Sequence, residues 1–301
     1  MTSSFAIVLL LASPFSDPPS FTPAFLSKAP KTVPTRVVSV APSTTELVFA
    51  LGEGKRVVGV SRFDDYPPDV GKLPKVGGFL DPSIEAIVGL SPELVLAVPN
   101  AANRPILERI DELGIPVLVV PGNGFSDVTH AARSIAAALG GGAPARAEAL
   151  IESLSKRVSA VEERSKARAR QRAAFLYDAA PLILAGPGSF AHTLMSMLNL
   201  ENVVKIQEAY PKYSLEQLVA DAPDVVLDAS HIANEAIVRR LAATPAGKSG
   251  SIRRFADGAL LRAGPRIADA LEELERAVSR ETARTVDTVD VGKGKSDTRR
   301  P

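Results

Sequence analysis

The chain of 301 residues contains no cysteine, no tryptophan and only three histidines. Without cysteine it can form neither a disulfide nor a thiolate metal site, it has no cysteine nucleophile, and no cysteine is available to accept a lipid. This absence does not fix the compartment, since an exported protein can fold without disulfides. The three histidines, His130, His192 and His231, fall in unrelated settings along the chain, so we do not expect them to form a zinc or manganese site together.

Neither sign of charge dominates. The chain has 35 basic and 34 acidic side chains and a formal net charge of +1. No overall field therefore draws it to nucleic acid or to an anionic membrane, and we expect no nucleic-acid partner. Apolar residues make up 46% of the chain, which is enough to build buried cores, and its length allows two domains.

The amino terminus carries only a short apolar run, Phe5–Ala12, which is far too short to span a bilayer. The run suits the core of an export signal, but no Lys or Arg precedes it, so a degenerate signal and a disordered leader both stay open. A series of prolines follows and is typical of an extended tether without its own core, over residues 13–35. We assign residues 1–33 to the leader and tether, and the polar residues 283–301 to a disordered tail.

Short apolar runs alternate with helical patterns from Arg36 onward. The first lobe, residues 34–143, has strands predicted at 36–40, 57–60, 94–98 and 115–120, and helices at 44–51 (with Ser43 as N-cap), 84–90, 103–113 and 127–139. The second lobe, residues 171–282, has strands predicted at 173–177, 182–184, from Val203 and at 225–228, and helices at 190–198, in the segment from Ser214, near 235–241 and at 267–280. Because the strands are continuous apolar runs, we predict mainly parallel sheets covered on both faces.

Residues 144–170 interrupt this alternation. They contain no glycine, and no proline after the first residue. Their apolar side chains recur at spacings of three and four residues, as in a helix: Ala147, Leu150, Ile151, Leu154, Val158 and Val161. Such a helix extends about 40 Å, which is longer than a crossover in a compact sheet requires. It is either an ordinary surface helix or a rigid strut. On the second interpretation the fold class is α/β, with two Rossmann-like lobes joined by one long backbone helix.

One segment occurs twice. SIEAIVGLSPELVL (83–96) and SLEQLVADAPDVVL (214–227) are identical at six of fourteen positions. Each predicts an N-capping serine, a short helix, a turn at proline and a buried strand. Glu85 and Glu216 fall in the first helical turn, where the helix dipole favours an acid by about 0.3–1 kcal/mol. Two matched carboxylates also suit a partner with two-fold symmetry that presents arginines, and both explanations stay open.

The order of the motifs resembles that of the cobalamin-type substrate-binding proteins of ABC importers, which share their fold with haem and ferric-siderophore binding proteins. The motifs are RVVSVAPSTTELVFALG (36–52), VVGVS (57–61), DYPP (65–68), KVGGF (75–79), SIEAI (83–87), GPGSF (186–190), ENVV (201–204) and GPRI (264–267). The resemblance covers residues 34–280. It implies a monomeric periplasmic or otherwise extracytoplasmic protein that holds a corrinoid between its lobes and delivers it to a permease dimer with its ATPase subunits. It also implies that Glu85 and Glu216 dock onto arginines of the two permease subunits.

The resemblance places a ligand cleft between the lobes and implies no resident cofactor: the bound molecule would be cobalamin or another metal chelate. By position, Phe63 and Phe79 contribute from the first lobe, and Ile183 and Tyr210 from the second; Ile183 departs from the aromatic residue that is common there. An apolar wall of this kind suits a corrin or porphyrin face, although each side chain is also a candidate for the core. Further candidates are Arg62 and Arg262 for an anionic ligand edge, or as surface charges, and His192 as an axial ligand to a bound metal.

The sequence also leaves other functions open. A haem or ferric-siderophore binding protein has the same fold, and the atypical leader also allows a cofactor-binding relative without a transporter. An enzyme is not expected. The glycine-rich segments 140–142 and 186–189 do not fit a dinucleotide or phosphate loop, and no nucleophile elbow is present.

Overall fold

Two sheets, one in each half of the chain, organise the residues that the structure describes. The structure is a computed structural model and describes residues 23–230, 239, 241–255 and 258–279. The apolar run Phe5–Ala12, His231, most of the helix predicted near 235–241 and the tail 283–301 lie outside these residues. The predicted α/β fold with two lobes built on mainly parallel sheets is confirmed.

The first sheet has the strand order β1-β5-β4-β2-β3. Its strands are β1 (Ala24–Phe25), β2 (Val37–Ser39), β3 (Val57–Val60), β4 (Leu94–Ala97) and β5 (Val117–Val119). All neighbours are parallel except β1, which pairs antiparallel with β5. The helices of this half are α1 (Pro42–Ala50), α2 (Ile84–Gly89), α3 (Arg104–Glu112) and α4 (Phe125–Leu139). Because helices cover both faces, every side chain of β2, β4 and β5 is buried, which explains their unbroken apolar character.

The second sheet is built around the nine-residue strand β6 (Gln171–Ala179). The order is β10-β9-β6-β7, and β8 pairs with the first residues of β6. The other strands are β7 (Leu182–Leu184), β8 (Leu200–Asn202), β9 (Val225–Asp228) and β10 (Ile252–Arg254). The end of β6 forms an antiparallel hairpin with β7, and the remaining pairs are parallel. The helices described in this half are α6 (Phe190–Met197), α7 (Leu215–Ala220), α8 (Pro245–Lys248) and α9 (Ile267–Ser279).

Several boundaries differ from prediction. Helix α1 begins at Pro42 with Ala41 as N-cap, not Ser43, because proline lacks the N–H that the first helical position leaves unpaired. The strand predicted from Val203 lies instead at 200–202. There the Asn202 side chain accepts a hydrogen bond from the Val204 N–H, a local turn that ends the pairing. The predicted tether is attached to the first sheet, because Ala24 and Phe25 pair with β5.

Helix α5 (Ala143–Lys166) connects the two halves as one uninterrupted helix of 24 residues, about 36 Å long. Its first part is held to the first lobe, since Arg146 donates to the Leu51 carbonyl and Arg133 of α4 pairs with Glu148. Its second part is held to the second lobe, since Arg157 binds Glu272 of α9. These contacts with both lobes favour a strut over an ordinary surface helix. The helix ends earlier than predicted, because the chain enters β6 at Gln171 and pairs there with β8.

A continuous apolar core joins the lobes through α5. The side chains of α5 that face it recur every three or four residues: Ala143, Ala147, Ile151, Leu154, Val158 and Val161. The same cluster includes Leu96 of the first sheet and Phe175 of the second, together with residues of α9. A shared core of this kind resists relative movement of the lobes, because interiors are close-packed.

The repeated segment folds the same way in each lobe. Ser83 and Ser214 cap six-residue helices by accepting from the Ala86 and Gln217 N–H groups. The ninth residue of each copy, Ser91 or Ala222, has φ of 45°. The strand that follows lies between two parallel neighbours in both sheets. The repeat is therefore one structural unit used twice.

Candidate functional site

An aromatic pair from the first lobe forms one side of the candidate site. Phe63 follows the carboxyl end of β3, and Phe79 lies in the loop before α2; their rings meet edge to face with centroids 6.0 Å apart. Phe63 is 48% exposed and Phe79 is half-buried, so neither belongs to the core. The Arg62 guanidinium lies 5.0 Å from the centre of the Phe63 ring and is also bound by both oxygens of Asp81. The structure thus brings Phe63, Phe79 and Arg62 together on one surface of the first lobe.

The loop that presents Phe63 rests on buried polar groups. Asp64, 5% exposed, accepts a 2.5 Å hydrogen bond from the Ser61 hydroxyl, and the Ser61 oxygen accepts from the Phe63 N–H. The Lys75 ammonium donates to the Asp64 carbonyl. Burial raises the pKa of Asp64, and the hydrogen bond from Ser61 and the charge of Lys75 act in the opposite direction. These contacts restrain the backbone on either side of Phe63.

A second aromatic pair lies in the other lobe. Tyr177, on β6, and Tyr210, in the loop between β8 and α7, have ring centroids 4.9 Å apart. Burial raises the pKa of Tyr210 to about 12, and the neighbouring Tyr177 adds to the effect. Tyr210 nevertheless keeps 45% of its surface exposed. Ile183, on β7, is half-buried and pairs with Lys212 of the same loop.

The Tyr210 loop is fixed by a close approach to the strand end at Gly186. The Gly186 N–H donates to the Ala209 carbonyl, and the Leu184 N–H donates to the Pro211 carbonyl. A Cβ atom at position 186 would lie 2.1 Å from the Glu208 carbonyl oxygen, so only glycine allows this approach. The GPGSF motif thus positions Tyr210.

Charged groups bridge the lobes beside the two aromatic pairs. Arg266, at the start of α9, binds both oxygens of Glu46 on α1, at 2.9 and 2.7 Å. Arg262 donates to Glu46 at 3.2 Å and to the two oxygens of Asp65 at 2.7 and 3.3 Å. The Glu46 side chain is 1% exposed, and Arg262 is 16% exposed. We call these four residues (Glu46, Asp65, Arg262 and Arg266) the inter-lobe ion cluster.

Arg262 interacts with groups of both lobes at the boundary between them, which we call the seam. It binds Asp65, two residues after Phe63, and its charge opposes the effect of burial, which raises the pKa of Tyr177. Arg266 in turn stacks on Tyr66, with the guanidinium 4.1 Å from the ring centre. The inter-lobe ion cluster therefore reaches the loop that carries Phe63 in one lobe and acts on Tyr177 in the other.

The histidine candidate is already oriented within its lobe. His192, in the first turn of α6, is half-buried, and its Nδ1 lies 3.1 Å from the Asn202 side-chain nitrogen. Burial lowers the pKa of His192, and the charge of Lys205 acts in the same direction, so the ring is neutral at pH 7. Among the described residues, His, Asp and Glu side chains form no group of three or more that could hold a metal ion.

Glu85 and Glu216 are exposed at the amino ends of α2 and α7. Helices α2 and α7 each run antiparallel to the strand that follows, β4 or β9. The amino end of each helix therefore lies at the sheet edge where the carboxyl end of that strand lies. Neither carboxylate forms an ion pair with another residue that the structure describes. They are therefore available to a partner, as docking requires.

Sequence reasoning missed Glu46, Asp65, Arg266 and Tyr177. Glu46 and Arg266 stand inside motifs that were recognised, but nothing in the sequence showed that they meet across 220 residues. Glu46 itself was the one available signal. It occupies a buried position of a helix, and an acidic side chain is rarely buried without a partner. None of the helices in the described part of the chain combines the length and apolar character needed to cross a membrane.

Comparison with known families gives one match that spans most of the chain. A family model described as periplasmic binding protein matches residues 37–254. Among individual relatives, YvrC of Bacillus subtilis, described as an uncharacterised ABC transporter substrate-binding lipoprotein, is 28% identical over 262 residues, 84% of this chain and 82% of its own length. The vitamin B12-binding protein of Salmonella typhi is 29% identical over 273 residues, 85% of this chain and 93% of its own length.

Solved structures show the same fold. The periplasmic vitamin B12 binding protein BtuF of Vibrio cholerae has a TM-score of 0.75 and 23% identity, over 82% of this chain and 97% of its own. The periplasmic haem-binding protein RhuT from Roseiflexus sp. RS-1 has a TM-score of 0.74 and 28% identity, over 80% of this chain and 97% of its own. Two proteins named for different ligands thus superpose equally well, so the fold does not identify the ligand.

Proposed function

We propose that this chain, which belongs to the periplasmic binding protein family, captures a corrinoid outside the cytoplasm and delivers it to an ABC importer. The proposed site is the seam between the lobes, lined by Phe63, Phe79, Ile183 and Tyr210. Two pairs of partly exposed aromatic rings supply flat apolar area of the kind that a corrin macrocycle covers.

We base the choice of ligand on the ion pairs that the arginines form with carboxylates. Arg62 is bound by Asp81, and Arg262 by Asp65 and Glu46. A cobalamin rim carries amide groups, which both donate and accept, and an arginine–carboxylate pair offers the complementary acceptor and donors. A haem brings two carboxylates, which would have to compete with the carboxylates already bound to these arginines. The arrangement therefore favours a rim of uncharged amides.

Haem is the second candidate. The haem-binding RhuT is 28% identical to this chain, and BhuT, solved with two haems, is 26% identical with a TM-score of 0.73. His192 would then be the candidate axial ligand. The hydrogen bond at its Nδ1 leaves Nε2 as the protonated nitrogen of the neutral ring, so ligation would require a change of tautomer. A ferric siderophore is a third ligand class on the same fold.

We infer that the partner is a permease dimer with its ATPase subunits, contacted through Glu85 and Glu216, and that the protein acts as a monomer. The family and the name of the Bacillus relative support an importer partner and an extracytoplasmic location. The interpretation that the chain is not an enzyme stays a prediction; its relatives are named for binding and transport. A cofactor-binding relative without a transporter remains the alternative of another class.

A titration tests the ligand class. We expect calorimetry of the purified protein to show saturable one-to-one binding of cyanocobalamin, at least tenfold tighter than that of haemin or ferrichrome. Tighter binding of haemin or ferrichrome would overturn the corrinoid assignment. Saturable binding of none of the three would overturn the proposed function.

The aromatic walls give a second test. Phe63→Ala and Tyr210→Ala are each expected to weaken binding of cyanocobalamin by about 10- to 100-fold. The loss of a buried aromatic contact costs about 1.5–3 kcal/mol, and each 1.4 kcal/mol is tenfold in affinity. Leu113→Ala is the matched control, because Leu113 is 49% exposed at the end of α3, away from the seam. Unchanged affinity in both aromatic variants would place the ligand elsewhere.

A further inference from the structure

The pair formed by Asp65 and Arg262 is unequal in exposure. The Asp65 side chain is 64% exposed, whereas Arg262 is 16% exposed. Two hydrogen bonds, of 2.7 and 3.3 Å, join the carboxylate to the two terminal nitrogens of the guanidinium. Burial acts to raise the pKa of Asp65, but the hydrogen bond and charge of Arg262 outweigh it and leave the pKa below its usual value. Asp65 is therefore ionised at neutral pH and covers the outer side of Arg262.

The inner side of Arg262 is fixed. Glu46 accepts from the same guanidinium at 3.2 Å and is itself held by two hydrogen bonds from Arg266. Arg262 thus cannot withdraw from the seam without leaving Glu46 less satisfied, and burial makes that costly. Because Asp65 is far more exposed than Glu46, a ligand that reaches the Arg262 guanidinium from solvent must compete with Asp65 first.

The charges of the inter-lobe ion cluster balance. Two arginines, Arg262 and Arg266, face two carboxylates, Glu46 and Asp65. A ligand carboxylate that displaced Asp65 would exchange one ion pair for another and leave an unpaired Asp65 nearby. An amide group can instead accept from Arg262 and donate to Asp65 with the pair intact. Among these four residues, removal of the Asp65 charge alone leaves two positive charges and one negative charge.

We propose that Asp65 is a specificity-determining residue: by covering Arg262 it disfavours ligands with a carboxylate at the rim and favours those with an uncharged amide. The inference rests on the proposed function, and it deepens that proposal by assigning the selection of rim chemistry to one side chain. Discrimination of this kind works through repulsion of the wrong ligand as much as through attraction of the right one.

Two ligands that differ only at the rim test the proposal. They are cyanocobalamin and its monocarboxylate, in which one propionamide has been hydrolysed to a carboxylate. We expect wild type to bind the amide form more tightly than the carboxylate form. In Asp65→Asn the ratio of the two dissociation constants, measured by calorimetry, should shift at least tenfold toward the carboxylate. Haemin, a second carboxylate ligand, should gain affinity in the same variant.

Arg262 must mediate the effect. In Asp65→Asn combined with Arg262→Gln the gain for the carboxylate is expected to disappear. Asp69→Asn is the matched control, because Asp69 is an exposed aspartate paired with Lys72 in the same loop region, and it should leave the ratio unchanged. Asp65→Ser provides a second variant if Asp65→Asn shows a lowered melting temperature.

The outcomes separate this inference from the function on which it rests. If wild type binds neither corrinoid, the proposed function fails. If wild type binds cyanocobalamin but the ratio is the same in wild type, Asp65→Asn and Asp65→Ser, the role of Asp65 is wrong and the proposed function stands. A ratio shift that persists in the double variant with Arg262→Gln also overturns the proposal.

Discussion

Replacement of both repeated glutamates, Glu85→Ala with Glu216→Ala, is expected to reduce importer-dependent uptake of the ligand by more than a hundredfold. Each exposed carboxylate is proposed to meet an arginine of one permease subunit. The loss of one partner from such a buried pair costs about 2–5 kcal/mol, and here two pairs are lost together. Affinity for the ligand should change by less than twofold, because both helices lie outside the aromatic walls. Uptake by cells that express the cognate importer and calorimetry on the purified variant measure the two effects.

The two single variants should each retain part of the uptake, since one contact remains in each. The control is Glu112→Ala with Glu201→Ala, which removes one solvent-accessible, ion-paired glutamate side chain from each lobe at sites outside the repeated segment. Normal uptake by the double variant at 85 and 216 would show that the two glutamates serve only their helices. Loss of ligand affinity in that variant would show that the docking assignment is wrong.

Local sequence patterns predicted the helices and strands well, because these patterns depend on interactions between neighbouring residues. The apolar strands, the capping serines of the repeat and the helical spacing in α5 each follow from a few neighbouring residues, and the structure bears them out. The resemblance read from the motifs is confirmed for the family and the fold. The boundaries that differ, at Ser43, at Val203 and at the end of α5, are places where pairing or proline overrides a local preference.

The site was predictable only in part. Phe63 and Tyr210 lie in loops that follow strands, which is where α/β sheets bind ligands, so their positions indicated the role that we propose for them. The inter-lobe ion cluster was not predictable, because Glu46 and Arg266 are joined only when the two lobes meet. Arg262 was singled out as a candidate, but its carboxylate partners were not foreseen, and those partners change what it can bind. The chemistry of the seam therefore depends on long-range contacts that no local pattern contains.

Glu46 offers the largest expected effect on stability. Its carboxylate, 1% exposed, accepts from Arg266 twice and from Arg262 once, and so joins α1 to the carboxyl-terminal part of the chain. Gly264 lies against the same helix, where an added Cβ would come within 3.4 Å of the Glu46 carboxylate. The carboxylate is thus enclosed by the turn that carries both arginines, and water cannot readily replace it.

Glu46→Ala is therefore expected to lower the free energy of unfolding by about 3–5 kcal/mol, because it removes the ion pair and both hydrogen bonds that the Glu46 carboxylate gives the buried Arg266. Glu46→Met with Arg266→Met should recover much of the loss, since two apolar side chains leave no buried charge at either position. The control is Glu112→Ala, which breaks an exposed pair with Arg109 and should cost about 1 kcal/mol or less. Urea denaturation followed by circular dichroism measures all three. A loss below about 1 kcal/mol for Glu46→Ala would contradict this role, and equal losses in the single and double variants would show that packing around Glu46, rather than its charge, holds the lobes together.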